Sequence, residues 1–210
     1  MMNQTIHPIA AITFDDGPSA EITPRVLDLL EQYHVPATFC VVGNHAVKHP
    51  ELLRRMTEQG CEIANHSWNH ERFTQISCKE LVDSITRAEK AIFDACGKET
   101  VFIRPPYGAY DIRVALIAYA LDKSLLLWNV DPCDWKTRDA AAVIPSVLRA
   151  VRDEQTVLLH DLYLSSYEAA AVIIPELQKR GYELTTAEGI LKSRGIPIVP
   201  GHNYFSDTGK

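Results

Sequence analysis

The sequence predicts an α/β fold, a distorted barrel of seven strand-and-helix units, and three observations carry that expectation. Short apolar runs alternate with helix-patterned segments along the whole 210 residues, the signature of a parallel sheet or barrel. Most of the runs are apolar almost throughout, as strands become when both faces of a parallel sheet are covered. The count stops at seven units, one short of a full eight-unit barrel, so the ring is expected to be incomplete or distorted.

The predicted strands are 9–14, 37–42, 61–64, 101–103, 125–128, 156–159 and 182–185. Helices with readable ends lie between them. Thr23 reads as an N-cap with Pro24 behind it, and Val26, Leu27, Leu30 and Tyr33 form the apolar stripe. Pro50 opens a second helix that stops at Gly60. Ser77 and Glu80 form a capping box for a third, with Leu81, Ile85, Ala88 and Ile92 on one face and Gly97 at its end. Ser165 and Glu168 repeat the box before a helix ending near Gly181. Pro145 and Pro175 fall inside helical patterns, where each is expected to begin, kink or split its segment. No repeat or linker interrupts the chain, so residues 1–210 read as a single domain with its core at about 9–191. The stretch 193–210 is less regular and reads as an extended strap.

Composition narrows the function classes. A net charge of -6 without a basic cluster gives no footprint for nucleic acid. No apolar stretch is long enough for a membrane span. The start, Met1-Met2-Asn3-Gln4-Thr5, lacks a basic segment followed by an apolar one, so no signal peptide is read there. Two settings stay open, a cytoplasmic protein or a catalytic domain from a longer exported one. The five cysteines are odd in number and scattered, giving neither a metal knuckle nor a disulfide framework.

The informative residues sit at the carboxyl ends of the predicted strands, the rim where α/β barrels build active sites. Asp15 and Asp16 follow the first strand, His66 and His70 the third, and Arg104 the fourth. Asp131 and Asp134 follow the fifth, and His160 the sixth. Each cluster alone has a plain reading. Thr13-Phe14-Asp15-Asp16-Gly17-Pro18 is also a turn sequence, and His66 with His70 is also a pair of ordinary histidines. Together they say more. Strand alternation would point Asp15 and Asp16 opposite ways, one to a metal and one to a substrate. Two imidazoles four residues apart would share one side of a helical turn, and with a carboxylate they make a site with open coordination positions. Arg104 can hold a carboxylate in place, and the proline-fixed turn behind it can aim a backbone N–H at an oxyanion. Asp134 can orient His160 and favour its protonated form.

These segments resemble, in order, the five motifs of the polysaccharide deacetylases of carbohydrate esterase family four, the NodB homology domain. They are TFDDGP at 13–18, HSWNH at 66–70, RPPYG at 104–108, DPCDW at 131–135 and LLHD at 158–161. The resemblance implies a distorted (β/α)7-type barrel and a metal-dependent hydrolase of N-acetyl groups. It implies Asp15 as general base, steadied by Arg104, and Asp16, His66 and His70 as ligands of one divalent metal ion, zinc first, with cobalt, manganese or nickel as substitutes. It implies His160 as general acid tuned by Asp134. Trp135 and Leu158 would line the methyl pocket, with the Tyr107 N–H in the oxyanion hole. Asp131 receives no role. The helices and tail look most like bacterial peptidoglycan N-acetylglucosamine deacetylases, which implies an extracellular or cell-wall setting. Acetylated xylan and chitin oligomers remain rival substrates, and a non-catalytic glycan-binding module or a deacetylase of a small metabolite remain rival classes.

Overall fold

A computed structural model describes residues 7–206; the opening residues 1–5, read above for a leader, and the last of the strap lie outside the described residues. In chain order the elements are β1 (Ile9–Asp15), α1 (Thr23–Tyr33), β2 (Thr38–Val41), α2 (Gly43–Lys48), α3 (Pro50–Glu58), β3 (Glu62–Asn65) and α4 (Cys78–Cys96). Then come β4 (Phe102–Ile103), α5 (Ile112–Ala120), β5 (Ser124–Leu126), α6 (Asp134–Thr137), α7 (Ala140–Ala150) and β6 (Gln155–His160). The chain closes with α8 (Leu164–Lys179), β7 (Glu183–Thr185), α9 (Ala187–Ser193) and β8 (Asn203–Tyr204).

All seven predicted strands form, and every pairing is parallel. The sheet runs β6-β1-β2-β3-β4-β5-β8, with β7 beside the first residues of β1. It curls back on itself: beyond β5, Val130 bridges Val157 of β6, and the Leu158 N–H donates to the Val130 carbonyl at 2.9 Å. The result is the distorted seven-unit barrel. The strap adds what the sequence reading left out, an eighth short strand whose Tyr204 pairs with Leu126.

Strand alternation sorts the side chains into two layers. From β1, Ala10, Ile12 and Phe14 join the large outer core beneath the helices, together with Leu27, Leu30, Ile173 and Leu177. Cys40, Ala64, Phe102 and Leu126 form a smaller inner core with Ala187 and Leu191 of α9 and Tyr204 of β8. Ile190 of the same helix packs on Ile9 and Ala11. The amino end of the barrel is thus filled with apolar side chains. The carboxyl end is left to polar ones.

Several helix ends follow the sequence. The Ser77–Glu80 capping box forms in full, and Gly97 ends α4 in the left-handed conformation. Three expectations need correction. Thr23 is the first residue of α1 rather than its cap; its hydroxyl accepts from the Ser19 N–H and donates to buried Asp161. Ser165 lies inside α8, which has no side-chain cap, because the helix begins at Leu164. Pro145 and Pro175 sit within α7 and α8 without splitting them. An interior proline costs roughly 3 kcal/mol, but Val143, Val147, Ile173, Ile174 and Leu177 are fully buried around them, and that burial outweighs the lost hydrogen bond.

Candidate active site

The carboxyl ends of β1, β3, β4 and β6 converge on a cleft of about 410 Å³. Asp15, Asp16, His66, His70, Tyr107, Trp135, Leu158 and His160 all line it. Other depressions of about 460 Å³ lie near His34 and Gly60 and along α4, but their walls carry scattered charges with no converging ligands. Chemistry, not size, marks the site.

Asp15 ends β1 and points inward, almost fully buried. Arg104, with no exposed surface at all, donates to Asp15 Oδ1 at 2.6 Å and to Thr13 Oγ1 at 2.7 Å. Its remaining N–H groups reach the Leu126 and Leu127 carbonyls at 3.3 and 2.9 Å. Burial works to lower the arginine's pKa, yet the Asp15 carboxylate outweighs it and raises it. The Asp15 oxygen not held by Arg104 is turned towards the cleft, 3.7 Å from His66 Nε2.

Asp16 does not simply alternate away from Asp15. Its backbone is left-handed, φ 73°, and the turn swings its carboxylate into the same cleft. An L residue pays roughly 1–2 kcal/mol for that conformation. His45 of α2 braces it, its Nδ1–H donating to the Asp16 carbonyl at 2.8 Å. No sequence pattern marks His45. Gly17 packs against Asp161 so closely that a Cβ there would meet the Asp161 carboxylate at 2.2 Å, which fixes the residue after Asp16 as glycine.

His66 and His70 are not on a helical turn. Ser67 and His70 both take positive φ, 70° and 61°, in an irregular loop. Other elements hold that loop: the first amides of α2 donate to the Ser67 and Trp68 carbonyls, and Ser84 of α4 accepts from the Trp68 N–H. His66 Nδ1–H donates to the Arg104 carbonyl at 2.7 Å, which leaves the Nε2 lone pair facing the cleft. Burial first, and then His66, lower the pKa of His70, which favours its neutral form.

Asp16 Oδ1 lies 3.3 Å from His66 Nε2 and 3.2 Å from His70 Nε2, buried and with no hydrogen-bond partner. Burial would raise the Asp16 pKa, but the imidazoles of His66, His70 and His160 hold it at about 2. An ionised oxygen thus stands within 3.3 Å of both imidazole Nε2 atoms, and with the rings neutral the three atoms form a donor set that one shared cation can satisfy. These two oxygen–nitrogen separations match the roughly 3.3 Å edge of a tetrahedron with bonds of about 2.0–2.1 Å. Among the described residues this trio is the one cluster whose ligand atoms gather so closely, all within 4.8 Å. The donor set fits a divalent ion.

On the other side of Asp16, His160 Nε2 lies 4.0 Å from Oδ2. Its Nδ1 is 2.8 Å from Asp134 Oδ1, and Asp134 Oδ2 accepts from the His160 N–H and from Ser166 Oγ. Burial works to lower the His160 pKa; the hydrogen bond and charge of Asp134 more than reverse it, to about 9. At neutral pH the ring carries a proton on Nε2 aimed into the cleft. Tyr107, also in a left-handed turn, presents its ring edge-on to His70 at 4.6 Å. Every residue singled out from the sequence is therefore in one cleft or touches a residue that is. Trp128, Arg72 and Tyr163 also line it and were not foreseen; two of them stand within three residues of His70 and His160, the signal that could have found them.

The polysaccharide deacetylase family profile matches residues 3–124. A chitooligosaccharide deacetylase of Bradyrhizobium is 37% identical, over 82% of this chain and 86% of the relative. The chain belongs to the polysaccharide deacetylase family. The peptidoglycan-N-acetylglucosamine deacetylase PgdA of Listeria monocytogenes is 36% identical over 94% of this chain. The chain spans about two fifths of the length of that relative. A family 4 acetyl xylan esterase from Clostridium thermocellum, solved with a cobalt ion, has a TM-score of 0.88 at 33% identity, over 95% of this chain and 99% of that one. Family 4 deacetylases depend on a metal, and this chain carries an Asp-His-His cluster whose ligand atoms could hold one.

Proposed function

We propose that residues 1–210 are one catalytic unit that removes N-acetyl groups from the N-acetylglucosamine residues of peptidoglycan, with one Zn²⁺ held by Asp16, His66 and His70. The observation that carries this reading is the unpartnered Asp16 oxygen between two imidazoles, flanked by a buried carboxylate and a protonated histidine. Two imidazole nitrogens, each 3.2–3.3 Å from one carboxylate oxygen, suit zinc. When bound, the ion supplies Lewis-acid polarisation and activates water.

The chain's own residues do the rest. Asp15, held by Arg104, takes a proton from the attacking water. The Tyr107 N–H donates to the developing oxyanion. His160, its Nδ1–H held by Asp134, delivers the Nε2 proton to the leaving amine, so acetate and a free amino sugar depart. Leu158 and Trp135 wall the acetyl methyl. No covalent acyl-enzyme is required.

Peptidoglycan is favoured by the Listeria relative's named activity and by the resemblance of helices and tail. It also sets the work outside the plasma membrane; among the described residues no helix is long and apolar enough to cross one. Chitin oligomers are the second substrate reading, because the Bradyrhizobium enzyme is matched over most of its own length. Acetate release from peptidoglycan glycan strands, chitopentaose and acetylxylan, with chelation and metal add-back, tests the proposal. Release from peptidoglycan that chelation stops and zinc restores is expected. Release from acetylxylan alone would overturn it.

A further inference from the structure

Two arginines are stacked on aromatic rings that line the cleft, Tyr107 and Tyr163. Arg72 lies over the Tyr107 ring at 4.3 Å, and that ring is 4.6 Å from His70. Arg138 lies over the Tyr163 ring at 4.5 Å, and that ring is 6.5 Å from His160. A guanidinium stacked on an aromatic face is held in orientation while its in-plane N–H edge stays available for a bidentate acceptor. Among the described residues neither arginine has a carboxylate within 4.0 Å; Arg138 spends one N–H on the Trp135 carbonyl at 3.4 Å.

The chain carries a net charge of -6; Arg55, Arg104, Arg113, Arg180 and Arg194 pair with acids, and of the arginines that do not, Arg72 lines the cleft and Arg138 stacks on Tyr163, which lines it. The cleft already contains acidic groups, and one of them, Asp131, reaches the mouth with one oxygen engaged by the Cys133 N–H. Those carboxylates cannot pair with an anionic ligand, whereas the two acid-free guanidinium groups stacked on Tyr107 and Tyr163 can give it charge-assisted hydrogen bonds.

We infer that Arg72 and Arg138 read carboxylates on the sugars flanking the reacting acetamide, so that the site selects anionic acetylated glycans over neutral ones. The inference rests on the deacetylase reading above and narrows its substrate class. In peptidoglycan the carboxylate has two sources, the lactyl ether of the neighbouring sugar where it is free, or the stem peptide where one is attached. The shared chemistry is a carboxylate within one sugar of the scissile amide.

The test uses the full chain loaded with zinc. kcat/KM for acetate release is measured on chitotetraose, on peptide-free glycan strands with free lactyl groups, and on strands bearing stem peptides. It is repeated for Arg72→Gln, Arg138→Gln and the double variant. The ratio of anionic to neutral kcat/KM is expected to fall about three- to tenfold per arginine, through KM rather than kcat. A ratio that falls only with peptide-bearing strands names the stem as the source; one that falls only with bare strands names the lactyl group. In the wild type, salt near 0.5 M should erode the preference and leave chitotetraose turnover alone, which keeps the inference open to test even if a variant folds poorly. A ratio unmoved by both substitutions and salt overturns it. Absence of acetate from every glycan overturns the deacetylase reading and this inference with it, whereas acetate release with an unmoved ratio overturns this inference alone.

Discussion

Asp15 and Asp16 are neighbours with different duties, and the left-handed backbone at Asp16 is what lets both serve one cleft. Asp15 is tied to Arg104, while Asp16 faces the two histidines. Asp15→Asn should therefore leave the bound ion in place and lower kcat by at least about a hundredfold, the usual contribution of a general base. Metal content and acetate release, measured on one preparation, check this; turnover near the wild-type rate removes Asp15 as the base. The identities of these residues were legible because carboxylates and imidazoles stood at strand ends in family order. Their backbone was not. Period-two alternation describes a strand and fails one residue past it, and the helical spacing of His66 and His70 conceals a loop with two positive φ values. His45 is illegible in the sequence for the same reason: its partner is a carbonyl, and no side-chain pattern records carbonyls.

At the level of elements, the strands were easy to read because buried parallel strands are apolar runs, and α4 was easy because its cap is local. Ser77→Ala should cost about 1 kcal/mol of stability, read from urea unfolding, with acetate release retained. A loss below a few tenths would mean the box is ornamental. The sequence Ser165–Glu168 has the same letters but forms no cap, since Ser166 is drawn instead to Asp134 by packing of α8 over the site. Tertiary contact decided between identical local signals. At the barrel floor, Glu62 accepts from Thr38 Oγ1 at 2.7 Å and from the Glu188 N–H of α9 at 3.2 Å. Burial is the main cause that lifts its pKa from 4.5 to about 7. A raised carboxyl pKa means the folded state holds the proton longer, so this contribution is full below pH 4.5, is lost as pH rises through 7, and is constant above. Glu62→Gln should therefore gain stability relative to wild type between pH 4.5 and 7. Parallel stability profiles of the two proteins over that range would contradict it.

For the whole molecule, the division of labour runs along the barrel axis, with apolar filling at the amino end and chemistry at the carboxyl end. The strap past Ser193 belongs to the filling, which composition did not reveal, because its strand is two residues long and its register is set by β5. Tyr204 packs edge-on to Phe102 at 6.0 Å, and its hydroxyl donates to the Pro197 carbonyl and accepts from the Val199 N–H. Tyr204→Ala should destabilise the fold by about 3 kcal/mol, the scale of emptying an aromatic site, seen in denaturant titration. A loss under 1 kcal/mol would make the strap peripheral.

The measurement that reaches the centre most directly is elemental analysis of purified chains after dialysis against zinc and then buffer. Wild type and Asp15→Asn should each retain one ion per chain, while His66→Ala and His70→Ala retain none and release no acetate. A full equivalent in either histidine variant, with deacetylation intact, would show that the cleft is organised around something other than this ion.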